Sequence, residues 1–250
     1  MEHLTLIGWI VTAIAVLLTG ISKSAFGGAL GGIGVPLMAL WLPPGMAVAV
    51  MLPILCVMDM FGVRAYWQKW SLADLRIIIP GGLVGIVLGT LAIGALPDNT
   101  VKACIGAIAV LFMFDRLLRL RDRLRLDAEP GATAGGIWSA LAGFTSTLAH
   151  AGGPPILVYL MGRRLPKEKF VATSAVFFTV INAAKILPYI WLGLFKRETL
   201  VLAVVLAPLA PVGVWLGLHV MRKVPERAFF LSATLMLGAS GCKLLWDAIV

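Results

Sequence analysis

One histidine beside a glycine-proline break is the first feature with chemistry in it. His150 precedes Ala151-Gly152-Gly153-Pro154-Pro155 in an apolar stretch, and Thr145, Ser146 and Thr147 lie just before it. An imidazole can donate to an anion or take a proton near neutral pH. The hydroxyls can add donors, or bond back to the preceding helical turn. A second break, Gly31-Gly32-Ile33-Gly34-Val35-Pro36, stands earlier in the chain. Glycine allows close backbone approach, and proline suits the first turn of a helix, where its missing N–H costs nothing. Each break therefore predicts the end of one half-helix and the start of another. Bare N–H groups and the positive dipole end of the second half-helix would face inward. Two such termini, around Gly32, Gly34 and Val35 and around Gly152 and Gly153, would together make an anion site. Tight turns between packed helices are the alternative.

Asn182 and Lys185 lie inside the long apolar run 168–194, before Pro188. At 1.5 Å per residue Asn182 is about 21 Å from the helix start at Glu168, close to mid-depth of a bilayer. Lys185 follows one turn later on roughly the same face. A lysine inside a membrane is costly and marks a pathway or a buried partner, unless it snorkels to the interface. Lys23 lies between Ser22 and Ser24 just before the first break, where a cytoplasm-facing hairpin tip would account for it. Asp59 with Arg64, Asp115 with Arg119, and Lys243 with Asp247 read as interface ion pairs, the last two at i,i+4 spacing.

The elements that must hold these residues follow from composition. Of 250 residues, 60% are hydrophobic and only 13% charged, too few polar groups to clothe a soluble domain of this size. A soluble enzyme, a nucleic-acid binder and a disordered chain are disfavoured, and the net charge of +9 serves orientation rather than nucleic acid. Apolar runs of membrane-spanning length favour helices over a barrel. Cys56, Cys104 and Cys242 stand singly, so neither a disulfide relay nor a thiolate metal site is expected. The N-terminus reads as a retained first helix rather than a cleaved signal.

The halves repeat. Phe26, Leu30, Gly34 and Pro36 recur without gaps as Phe144, Leu148, Gly152 and Pro154, and Val84-Gly85 through Gly89 recurs as Val212-Gly213 through Gly217, with Pro97 matched by Pro225. Gly85/Gly89 and Gly213/Gly217 are GxxxG spacings that let helices approach closely, within the chain or in a homodimer. The expected division is a first transmembrane repeat over 1–119, a cytoplasmic linker over 120–132 and a second transmembrane repeat over 133–250. Lysines and arginines gather in 64–76, the linker, 163–169 and 222–227. Placing all four in the cytoplasm requires segment 134–162 to enter and return. The expected fold is thus an all-α polytopic membrane protein of two inverted repeats, each a broken helical hairpin plus three transmembrane helices, with both termini extracytoplasmic. Inverted repeats with broken helices are an architecture of secondary transporters.

No HExxH, GxSG or Walker loop occurs, so no catalytic residue, metal or cofactor is expected. A membrane-embedded hydrolase would need a coincidental pair such as Ser24 with His150. The Gly-rich AFGGALGGIGVPL, the later GFTSTLAHAGGPP and the following NAAKILPY resemble the sulfite exporter TauE/SafE family over nearly the whole chain. The first break departs from the family's commoner F-G-I-G-G-G arrangement. The resemblance implies a multi-pass transporter of the bacterial inner membrane that moves sulfite, sulfonates or related organosulfur anions. The expected site gathers Gly32, Gly34, Val35, Ser146, His150, Gly152, Gly153, Asn182 and Lys185 around a small anionic substrate. Export down the membrane potential needs no coupling ion; import would need one, with His150 the candidate proton site. An anion channel is the other transport class.

Overall fold

The computed structural model describes residues 5–26, 32–118, 129–219 and 226–250. These residues are helical, with no strand among them. The glycine run 27–31, most of the linker, Arg119 and Pro225 lie outside the described residues. Eleven helices are described: α1 (Leu6–Phe26), α2 (Gly34–Met38), α3 (Pro44–Ala65), α4 (Leu72–Ala95), α5 (Asp98–Leu118), α6 (Ala132–Ala149), α7 (Gly153–Gly162), α8 (Lys167–Trp191), α9 (Arg197–Leu206), α10 (Leu209–His219) and α11 (Glu226–Ile249).

Four helices are long and apolar enough to cross a membrane: Leu6–Ser24, Pro44–Arg64, Leu72–Ala95 and Glu168–Trp191. Among the described residues, the pair α9–α10, bent by 41°, passes the same test when its two helices are taken together. The run 199–219 reads in sequence as one helix. It divides at Ala207–Pro208 because Pro208 lacks the N–H that would continue the ladder. α1 is a full 21 residues, whereas α2 has only 5, so the first break follows a span-length helix.

On α4 side-chain size, not hydropathy, distinguishes the inner face from the outer. α4 buries Gly82, Gly85, Ile86 and Gly89 and exposes Leu83, Val84, Val87, Leu88 and Leu91. Such an apolar outer face suits lipid and not water. α3 is apolar all round and lies at the centre, with Val50, Leu52 and Ile54 at 0% exposure.

The small-residue faces pack reciprocally. α4 lies against α6 and α10 against α1. A Cβ on Gly85 would stand 1.9 Å from the Ala140 carbonyl, and one on Gly143 would stand 2.0 Å from that of Gly82. Across the other interface, a Cβ on Gly213 would stand 3.0 Å from the Leu17 carbonyl and one on Gly217 would stand 2.9 Å from that of Ile21. Both GxxxG faces are therefore used inside the chain.

Two basic stretches, 64–76 and 163–169, meet at one end of the bundle, where Glu129 joins them. Lys69 pairs with Glu168 at 3.0 Å, joining loop 64–76 to the start of α8. Arg163 reaches Asp74 at the start of α4, Nε to Oδ1 at 2.7 Å, and its Nη1 reaches Glu129 before α6 at 3.0 Å. Tyr159 also donates to Asp74, whose N–H is accepted by the Ser71 side chain that caps α4. The α6–α7 hairpin thus returns to the end it left, as the charge pattern requires. The hydrogen bond to Asp74 raises the already high pKa of the Arg163 guanidinium, so the latch is charged at any working pH.

Candidate functional site

The second break positions a buried lysine. α6 ends where His150 adopts left-handed backbone, φ 50 and ψ 29. That conformation is costly for a residue with a Cβ, and turn hydrogen bonds secure it: His150 N–H to Ser146 O at 3.0 Å and Ala151 N–H to Thr145 O at 3.2 Å. Thr145 Oγ1 also donates to Ala151 O at 3.1 Å. The turn aims the His150 ring at α3, where Nε2 lies 2.9 Å from the Val48 carbonyl. A carbonyl only accepts, so Nε2 carries the proton and Nδ1 is an acceptor.

Lys185 fills that acceptor. Its Nζ donates to His150 Nδ1 at 2.7 Å, Ser146 Oγ at 2.9 Å and Ser146 O at 3.1 Å. An ammonium has three donors, and all three are used. The side chain is 0% exposed, and no carboxylate among the described residues pairs with it. Lys185 does not snorkel. It is a buried amine held by neutral groups. Tyr189, one turn on, donates to Thr147 O at 2.7 Å and closes the site on that side.

Ser146 is the outer contact of this amine. Its Oγ accepts from Lys185, which leaves its own hydrogen free to donate into a small cavity. Thr19, Lys23, Leu55, Ser146, His150, Gly153, Phe178 and Asn182 line that cavity, whose volume of about 20 Å³ holds little more than a water. Thr147 instead bonds back to its own helix, to Gly143 O at 2.8 Å, and Thr145 shares its one hydroxyl hydrogen between Leu141 O at 2.9 Å and the turn carbonyl of Ala151, as backbone competition predicts.

A larger cavity of about 250 Å³ adjoins it, lined by Ser24, Met58, Asp59, Tyr66, Val171, Ala175 and others. Lys23 and Phe178 line both cavities. The larger cavity lies toward the C-terminal end of α3 and the N-terminal end of α8, the end that carries the Lys69–Glu168 pair. Between the two, Lys23 forms an ion pair with Asp59, and Asn182 Nδ2 donates to Asp59 Oδ2 at 2.6 Å. Asp59 is 4% exposed. The expected Asp59–Arg64 interface pair is thus corrected: the carboxylate turns inward, where a lysine from α1 compensates it. Lys243 and Asp247 do pair, as their spacing predicts.

The sulfite exporter TauE/SafE model matches residues 12–244. The chain belongs to the sulfite exporter TauE/SafE family. No curated protein and no solved structure matches it. The TauE/SafE family is a family of transporters, and the span-length apolar helices make this chain a multi-pass membrane protein.

Within this TauE/SafE fold, Ser146, His150, Gly153 and Asn182 meet at the inner cavity, with Lys185 directly behind Ser146 and His150. Gly152 is buried in the turn, where a Cβ would stand 2.6 Å from the Ala142 carbonyl. Gly32, Gly34 and Val35 are buried but do not line the cavity. A Cβ on Gly32 would stand 2.9 Å from that of Ala151, so the two breaks touch. The half-helix termini offer fewer donors than their position suggests. Pro154 and Pro155 follow Gly153 at the start of α7 and lack N–H groups, so only glycine amides remain there. α2, at 5 residues, carries little dipole. Side-chain charge outweighs backbone donors at this site. Lys23 and Asp59 were missing from the sequence-based site, and only their place on facing helices reveals them.

Proposed function

We propose that this TauE/SafE protein exports a small sulfur-containing oxyanion, sulfite or a sulfonate, across the bacterial inner membrane. The anion enters the larger cavity from the cytoplasm and settles against Ser146, Asn182 and the glycine amides at the start of α7. One observation carries this reading: Lys185 is fully buried, its amine lies within hydrogen-bond distance of three neutral groups, and it has no carboxylate partner among the described residues. A buried charge without a counter-charge costs several kcal/mol by order of magnitude, and a bound anion would supply that counter-charge.

The reading takes the halves as inverted repeats, 1–119 and 133–250, joined by a cytoplasmic linker, with both termini outside. The reciprocal packing of α4 on α6 and α10 on α1 supports it, as does the meeting of basic loops from both halves at one end. A closed inner cavity near water size favours a carrier over an open channel. Proton-coupled import would require His150 to surrender its bond to Val48 or to Lys185, so export driven by voltage is the simpler mechanism. The inside-negative potential supplies about 2.3 kcal/mol per charge per 100 mV, roughly a fifty-fold gradient.

Proteoliposomes loaded with sulfite or methanesulfonate and held at an imposed potential test this. Efflux should rise with inside-negative voltage and show counterflow. Efflux that needs a proton gradient and ignores voltage would refute uniport, and absence of counterflow would indicate a channel.

A further inference from the structure

The charges around the inner cavity add to a definite sum. Lys23 and Asp59 form an ion pair and cancel. Lys185 has no carboxylate partner among the described residues, and His150 is neutral because Val48 fixes the proton on Nε2 while Nδ1 accepts. With Lys185 as its ammonium, the form that a bound anion stabilises, the site carries one net positive charge, which one negative charge neutralises. A second negative charge on the solute could be met only by Lys23, which lines the cavity. Lys23 would then have to leave Asp59, stranding a carboxylate that is 4% exposed with Asn182 as its remaining partner. Breaking a buried pair in this way is strongly unfavourable.

We infer that Asp59 determines substrate specificity by setting the charge the site accepts, so that monovalent oxyanions are carried in preference to divalent ones. The inference rests on the proposed anion site and narrows it to a charge class. Phe178, which lines both cavities beside Lys23, gives the solute an apolar neighbour that adds no charge.

Binding of methanesulfonate, with one charge, and sulfoacetate, with two, is measured by calorimetry on the purified protein at one pH and ionic strength. The wild type should bind methanesulfonate the more tightly. Asp59→Asn keeps the shape and a hydrogen bond to Asn182, frees Lys23 and should shift the ratio toward sulfoacetate by roughly tenfold or more. The double variant Lys23→Gln with Asp59→Asn restores one net positive charge and should restore the wild-type order. A purely structural Lys23–Asp59 pair would lower the melting temperature in the variants and leave the ratio unchanged, which overturns the inference. Tighter binding of sulfoacetate by the wild type overturns it as well, even if Asp59→Asn fails to fold. Wild-type protein that binds neither probe would instead overturn the anion site itself.

Discussion

Asn182 donates to Asp59, and the two residues occupy the same place in two matching helices. Pro43 caps α3 with φ −52 and ψ 141, Pro166 caps α8 with φ −52 and ψ 143, and the spacing from Pro43 to Asp59 equals that from Pro166 to Asn182. The contact between equivalent positions brings an amide against a carboxylate, where two carboxylates would repel. The position thus carries a negative charge in one half and a neutral donor in the other. On the α8 side, Lys185 follows one turn later and bonds α6. On the α3 side, Asp59 itself bonds α1 through Lys23.

Lys185→Met should abolish binding of methanesulfonate and sulfite while leaving the protein folded. Replacing a buried charge by an apolar chain of similar volume is often neutral or stabilising, so the melting temperature in detergent should hold or rise. Ser146→Ala removes one acceptor from the ammonium and the hydroxyl donor to the cavity. It should weaken binding by about tenfold, for a lost hydrogen bond to a charged group is worth about 1.5–3 kcal/mol. Calorimetry and thermal melts on both variants check the pair; Lys185→Met that binds normally would move the site elsewhere.

His150 combines two demands: left-handed backbone, and a ring that bridges Val48 and Lys185. Asn tolerates that backbone better than Ala. His150→Ala should therefore destabilise by more than His150→Asn, with a difference of about 1 kcal/mol. Both should weaken anion binding through a misplaced Lys185. Equal melting temperatures for the two variants would show that the left-handed turn costs nothing.

The glycine contacts rank two substitutions. Gly85→Ala forces a methyl to within 1.9 Å of the Ala140 carbonyl, whereas Gly213→Ala places one 3.0 Å from the Leu17 carbonyl. Overpacking costs about 1–3 kcal/mol and more where backbone must move. Gly85→Ala should fall at or above the top of that range and Gly213→Ala near its foot. Thermal melts of the two proteins should separate clearly, with Gly85→Ala the lower.

Arg163→Ala should cost about 2–3 kcal/mol, because it leaves Asp74, at 1% exposure, with Tyr159 as its remaining side-chain donor. The double variant Arg163→Ala with Asp74→Asn should recover part of the loss. Unfolding midpoints of the single and double variants decide the matter, and no recovery would mean that Arg163 acts through packing alone.

Part of the site could be read from sequence because its chemistry is local. A histidine in a Gly-Pro break and a lysine inside an apolar run are anomalies wherever the chain folds; His150 lines the cavity and Lys185 lies directly behind it. The Asp59–Lys23 pair escaped because its members are on different helices, and Asp59 has a nearer basic residue, Arg64, along the chain. Sequence spacing ranks neighbours on one helix and is blind to the helix opposite. The α6–α7 return was legible because charge counting constrains crossings. The division of α9 from α10 was not, although Pro208 lies in plain view, since proline inside an apolar membrane run need not break it.

The reciprocal seating of α1 on α10 and α6 on α4 bears on synthesis. α1 precedes α10 in the chain by eight intervening helices, so Gly20 is made long before the groove at Gly213 that receives it. Until then the inner face of α1 must rest against lipid or a helper protein. A chain truncated before α10 should therefore be a target for membrane proteases even though most of its helices are already present.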